Sequence, residues 1–217
     1  MAAEIRAYVF DAYGTLLDVN AAMSAHVAAL GPNAAQLPTW WRVKQLEYSW
    51  TYTLMGRYRS FWQLTDDALT TAAALCGVEI GDKRAALMEA FRCCPAFDDA
   101  IPALQSLRAR GLPTAILSNG DLATLRYTVE QAGLAPHLDH LLSADAAQKF
   151  KTAPEVYQLA VDALGLEREQ IAFCSSNRWD IAGAASFGFQ TSWINRSGAV
   201  EEYAAYPAQE ILAELAL

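Results

Sequence analysis

The chain has 217 residues, with 16 basic and 24 acidic side chains, a net charge of −8 and 53% hydrophobic residues. That apolar fraction excludes a disordered chain, which lacks the burial to offset ordering entropy, and no run of about eighteen apolar residues is present to span a membrane. The acidic balance excludes nucleic acid or an anionic membrane as a partner, since both need a basic footprint.

The N-terminal stretch MAAEIRAYVFDAYGT has no basic region, clean apolar stretch or small-residue cleavage site, so a cytoplasmic location is expected. RAYVF (6–10) reads as the first strand. From about residue 19 to about 97 no strand is expected. PTWWRVKQLEYSWTYTLMG (38–56), SFWQLTDDALTTAAALCG (60–77) and DKRAALMEAFRCC (82–94) read as helices there. AIPALQSLRAR (100–110) repeats apolar residues at Ile101, Leu104 and Leu107 and stops at Gly111, a helix-ending signal. Beyond it, the runs PTAIL (113–117), DHLL (139–142), IAFC (171–174) and TSWI (191–194) predict strands. The segments 122–133, 154–165 and 180–188 predict helices between them. Pro154 suits a helix opening. This alternation predicts an α/β fold: a parallel sheet with helices on both faces and right-handed crossovers. The expected division is an α/β core over 1–18 and 98–217, interrupted by a helical domain over 19–97.

Cys76, Cys93, Cys94 and Cys174 form no CxxC pair and read as reduced thiols. HLDH at 137–140 has a spacing that can ligate a metal on a helix, but no third ligand is nearby, and a surface or structural histidine is expected. No metal site, cofactor or nucleotide fingerprint is predicted.

In a doubly wound sheet, ligands bind beyond the carboxyl ends of the strands. Four polar segments follow apolar runs there: Asp11–Thr15, Ser118–Gly120, Ser143–Lys151 and Ser175–Asp180. Asp11 reads as a nucleophilic carboxylate or as a turn-forming aspartate. Gly14 permits a tight turn, and Thr15 can bond a neighbouring carboxylate. Ser118, Asn119 and Gly120 can bind an anion or simply cap a helix. Lys151 can stabilise a carboxylate, and Asp180 can pair with it, activate water or cap a helix. Arg42, between Trp41 and Val43 and close to Trp40, can clamp an anion among aromatic rings or lie exposed. The residues alone reach an enzyme-like α/β domain with an anion site.

Together the motifs resemble the haloacid dehalogenase superfamily, and within it the L-2-haloacid dehalogenases. FDAYGTL (10–16), LSNG (117–120), Lys151 and SSNRWD (175–180) match its four motifs in order. WRVKQLEYSW (41–50) with MGRY (55–58) matches the cap, and FGFQTSWINRSG (187–198) fits the last core strand. The resemblance covers almost the whole chain. It implies a Rossmann-like core with an α-helical cap inserted after strand one.

Two departures from the superfamily's phosphatases matter. They carry a second aspartate two residues after the nucleophile, where this chain has Tyr13. A phosphate ester's alkoxide needs protonation to leave, whereas a halide does not. Their last loop holds magnesium with acidic residues, but Ser175, Ser176 and Asn177 stand here. The resemblance implies hydrolysis of L-2-haloacids without a metal, through an ester on Asp11. Ser118, Asn119 and the amides of Ala12 and Tyr13 would hold the substrate carboxylate. Arg42 and Asn119 would meet the halide. Lys151 would keep Asp11 ionised and pair with Asp180, while Asn177 and Asp180 would place water. Thr15, Ser175 and Tyr157 would orient these groups, and Tyr13, Leu46, Phe61 and Trp179 would form an apolar wall. Thr152 stands where a proline is common, and Val43 where a glutamine is frequent, which bears on substrate size. Lys149 rivals Lys151 as the cation, but the spacing to Tyr157 favours Lys151. The partners implied are a small anionic haloacid, its halide and a second copy of the chain in a homodimer. The alternatives are a phosphatase of the same superfamily and a non-catalytic protein on the same fold.

Overall fold

The computed structural model describes residues 3–217, the side chain of Ala25 apart. Six parallel strands form one sheet: β1 (Ala7–Phe10), β2 (Thr114–Ser118), β3 (His140–Ser143), β4 (Ile171–Ser175), β5 (Gln190–Ile194) and β6 (Glu210–Leu212). Their spatial order is β3-β2-β1-β4-β5-β6. β1, β2 and β4 are buried along their whole length, as continuous apolar runs covered on both faces should be.

Of the helices between β1 and β2, the first four are α1 (Val19–Ala28), α2 (Leu37–Leu54), α3 (Phe61–Cys76) and α4 (Arg84–Arg92). The others are α5 (Ala100–Ala109), α6 (Leu122–Gln131), α7 (Pro154–Leu164) and α8 (Arg178–Phe187). α3 opens on a capping box, in which Gln63 N donates to Ser60 Oγ at 3.2 Å and Ser60 N to Gln63 Oε1 at 3.3 Å. It stops at Gly77 in the left-handed conformation. No helix among the described residues is long and apolar enough to cross a membrane.

Two elements carry no sequence signal. α1 is alanine-rich, and Met23 is its one large side chain in the core, so no apolar stripe announces it. β6 is three residues long and mostly exposed, and its pairing with β5 rather than its pattern makes it a strand. HLDH is not helical. His137 ends a short 3-10 turn, His140 opens β3, and Asp139 accepts from the backbone N–H of Thr114 at 2.8 Å. All four cysteines are free; Cys94 and Cys174 are buried, and burial pushes both thiols up.

Strand register builds the site. Phe10 stands beside Ile116 on one side and Cys174 on the other, so the next residues of β1, β2 and β4 emerge level at one edge. The chain runs outward from β1 through β2 to β3 and resumes as β4 on the other side of β1. Asp11 therefore sits where the strand order reverses, the place at which such sheets bind ligands.

Candidate active site

At that edge Asp11 is buried and takes donors on both oxygens. Lys151 Nζ donates to Oδ1 at 3.1 Å. Asn177 Nδ2 donates to Oδ2 at 2.8 Å and Thr15 Oγ1 at 3.2 Å, with Ser175 Oγ at 3.5 Å. Gly14 takes φ +90°, and a Cβ there would lie 3.1 Å from Ser176 Oγ, so this turn requires glycine.

Lys151 is fully buried and also donates to Asp180 Oδ2 at 2.8 Å. Tyr157 OH donates to Asp180 Oδ1 at 2.8 Å. Burial alone would lower the Lys151 ammonium, but the charges of Asp11 and Asp180 outweigh it and hold it above the usual lysine value. Burial pushes the Asp180 carboxyl up to about 6, with Lys151 opposing and Asp11 adding to the rise. Gly183 on α8 makes this packing fit, since a Cβ there would lie 2.7 Å from Thr152 Cγ2. Lys149 is half-buried and pairs with Glu155, outside this cluster.

The anion loop follows β2. Ser118 and Asn119 are buried; Ser118 Oγ accepts from Gly120 N at 3.0 Å, and Asn119 Oδ1 from Lys151 N at 2.9 Å. Arg42 reaches across from α2. It donates to Gln45 Oε1 at 2.8 Å and to Asn177 Oδ1 at 3.4 Å. Desolvation lowers its guanidinium, while Asp11 and Asp180 oppose the shift. Beside Arg42 and Asn177 lies a cavity of about 150 Å³, walled by Tyr13, Met23, Trp41 and Phe91. An aspartate carboxylate with an ordered donor on each oxygen, a nearby guanidinium and an apolar cavity together suit nucleophilic attack on a small anionic molecule.

A family model for haloacid dehalogenase-like hydrolases matches residues 5–188. The chain belongs to that family. It is 46% identical to (S)-2-haloacid dehalogenase 1 of Pseudomonas sp. (strain CBS-3), covering 97% of this chain and 93% of that protein. A solved L-2-haloacid dehalogenase superimposes with a TM-score of 0.95 at 41% identity, over 98% of this chain and 96% of the other. The L-2-haloacid dehalogenase of Xanthobacter autotrophicus, solved with chloropropionic acid covalently bound, superimposes with a TM-score of 0.88 at 34% identity, over 97% and 95% of the two chains.

In this member of the haloacid dehalogenase-like family, Asp11, Thr15, Lys151, Tyr157, Ser175, Asn177 and Asp180 form one hydrogen-bonded cluster, and Arg42 joins it through Asn177. Of the two tryptophans before Arg42, Trp41 borders the same cavity as Tyr13 and Phe91 while Trp40 is exposed, and the bonds from the guanidinium go to two amides. The apolar residues divide. Tyr13 borders the small cavity, its ring stacked on Phe91 at 4.9 Å and its hydroxyl 3.4 Å from Thr128 Oγ1. Leu46 and Phe61 are buried, and Phe61 packs on Phe150. Trp179 meets Trp50 edge-on at 5.4 Å in the wall of a second, wider cavity of about 630 Å³. Ala12 is buried in the β1 turn. Val43 points outward and does not border the small cavity. Sequence reasoning missed Met23, Gln45 and Phe91. Only proximity to Arg42 marks Gln45, and nothing in the sequence marks the other two.

Proposed function

We propose that the chain hydrolyses L-2-haloacids to 2-hydroxy acids with inversion of configuration. The observation that carries this reading is Asp11, bonded to Lys151 and Asn177, facing a guanidinium with no second acid two residues on. An Asp11 carboxylate oxygen attacks C2 of the substrate from behind, and the halide leaves with its bonding pair. Arg42 and Asn119 meet the halide, which needs no proton. Ser118 and the amides of Ala12, Tyr13 and Asn119 hold the substrate carboxylate, with Leu46, Phe61 and Trp179 as apolar neighbours.

Water, placed by Asn177 and Asp180, then attacks Asp11 Cγ and gives a proton to Asp180. The bond between Cγ and the ester oxygen breaks, the alkoxide takes the proton from Asp180, and Asp11, now holding the water's oxygen, releases the water's second proton to solvent and is again a carboxylate. The product's new oxygen is therefore one from Asp11. Thr15, Ser175 and Tyr157 keep the carboxylates oriented. No step calls on a metal ion.

Residues 19–97 act as a cap over the core formed by 1–18 and 98–217. Supporting this division, α2, α3 and the segment between them bond across to the core through Trp50, Thr53, Tyr58 and Trp62. The chain functions as a homodimer, a reading supported by Trp40, Val43, Leu54 and Met55 exposed along one end or face of α2 and its exit; size-exclusion chromatography with light scattering tests it. The activity is tested by halide release from L- and D-2-chloropropionate without added metal. Release from the L isomer alone is expected, and release from neither overturns the reading.

A further inference from the structure

Arg42 needs a support, because a free arginine side chain samples many rotamers and loses that freedom when an anion binds. We propose that Gln45, itself set by Thr65, is the positioning residue that aims Arg42 into the site. This rests on the dehalogenase reading and extends it to two side chains on the helical part of the molecule.

Gln45 and Thr65 are buried, in α2 and α3 respectively. Arg42 Nη1 donates to Gln45 Oε1 at 2.8 Å, and Gln45 Nε2 donates to Thr65 Oγ1 at 2.6 Å. Thr65 Oγ1 in turn donates its single proton to the Phe61 carbonyl at 2.7 Å. That last bond fixes the direction of the others. With its proton committed, the Thr65 hydroxyl can only accept, so it must face the amide nitrogen of Gln45. The amide oxygen of Gln45 is then turned towards Arg42, which has only donors to offer. On the other side Asn177 is oriented by the same logic, its nitrogen on Asp11 and its oxygen towards Arg42. The guanidinium thus sits between two amide oxygens, each fixed by what its nitrogen does.

The choice of an amide at 45 matters as well. A carboxylate would hold the guanidinium equally well but cancel its charge. A neutral acceptor fixes direction and leaves the positive charge available to an anion.

The test compares Gln45→Met, Thr65→Val and Thr65→Ser, with folding checked by circular dichroism and thermal melts. Read for each are kcat and KM on L-2-chloropropionate and inhibition by bromide, which reports anion binding by Arg42 separately from the chemical step. Gln45→Met and Thr65→Val are expected to lower kcat by roughly tenfold to a hundredfold and to weaken bromide inhibition in parallel. Thr65→Ser keeps the hydroxyl and stays near wild type. A folded Gln45→Met with wild-type kcat and bromide inhibition overturns the inference, as does Thr65→Ser damaged as severely as Thr65→Val. If Gln45→Met does not fold, the Thr65 pair decides alone, because valine preserves the shape of threonine. Wild-type protein that releases no halide overturns the functional reading itself, a result distinct from a wild type that turns over beside unaffected variants.

Discussion

The sheet edge and the helical segment hold their cations in opposite ways. Lys151 is fully buried between two carboxylates, Asp11 and Asp180. Arg42 is part-buried, and the bonds from its guanidinium go to the amide oxygens of Gln45 and Asn177. The difference is one of charge: the lysine's is matched by its neighbours, whereas the arginine's is only steered. Lys151 is thereby built into the architecture of the core, and Arg42 is held ready for an anion arriving from outside. An acidic chain of net charge −8 can accept an anionic substrate on these terms, since the local field and not the total decides.

The comparison can be broken at several points. Asp11→Asn removes the nucleophile while leaving an amide for Lys151 to meet, and halide release should fall by a factor of at least about 10⁴. Retained turnover would show that the reacting group lies elsewhere. Lys151→Met should cost both activity and stability, because two carboxylates are left buried without their cation. Breaking a buried pair costs about 3–5 kcal/mol, which corresponds to a melting temperature lower by roughly 10 °C; calorimetry measures it. Arg42→Ala should lose about a hundredfold in kcat/KM yet melt within a few degrees of wild type. Equal melting losses in the two cation variants would erase the distinction drawn between them. The smallest effect concerns pH. As pH falls through about 6, Asp180 takes up a proton and its ion pair with Lys151 is lost, so kcat should fall on that acid limb. The hydroxyl of Tyr157 favours the ionised form of Asp180, so Tyr157→Phe should move the limb to higher pH. A limb that stays in place would remove Asp180 from the rate-determining step.

Much of this was legible in the sequence, because apolar runs ending in polar residues mark both strands and the sheet edge where ligands bind. Asp11, Ser118, Lys151 and Asp180 were found in that way. What escaped depends on packing between elements distant in sequence. Gln45 meets Thr65 only because α2 lies against α3, and a glutamine inside a helix has no spacing that announces it. The surroundings of Trp179 likewise follow from packing. Trp179 adjoins Asp180 in sequence, but successive residues on a helix diverge by about 100°, and on α8 that turn carries its ring to Trp50 and the wider cavity. α1 and β6 escaped for want of an apolar pattern of their own.

α2 also touches the core at its far end, where Trp50 Nε1 donates to the Lys151 carbonyl at 3.1 Å and Thr53 Oγ1 accepts from Phe150 N at 3.0 Å. One rigid rod therefore carries Arg42 near its start and grips the backbone of the other cation eight residues on, about 12 Å away at the rise of a helix. The rod works as a ruler: the spacing between Arg42 and the grip on the Lys151 backbone is set by a count of residues, not by the fit of a loop. A single residue inserted between Arg42 and Trp50 would turn one end of that ruler by about 100° against the other, so the stretch can change its side chains but not its length.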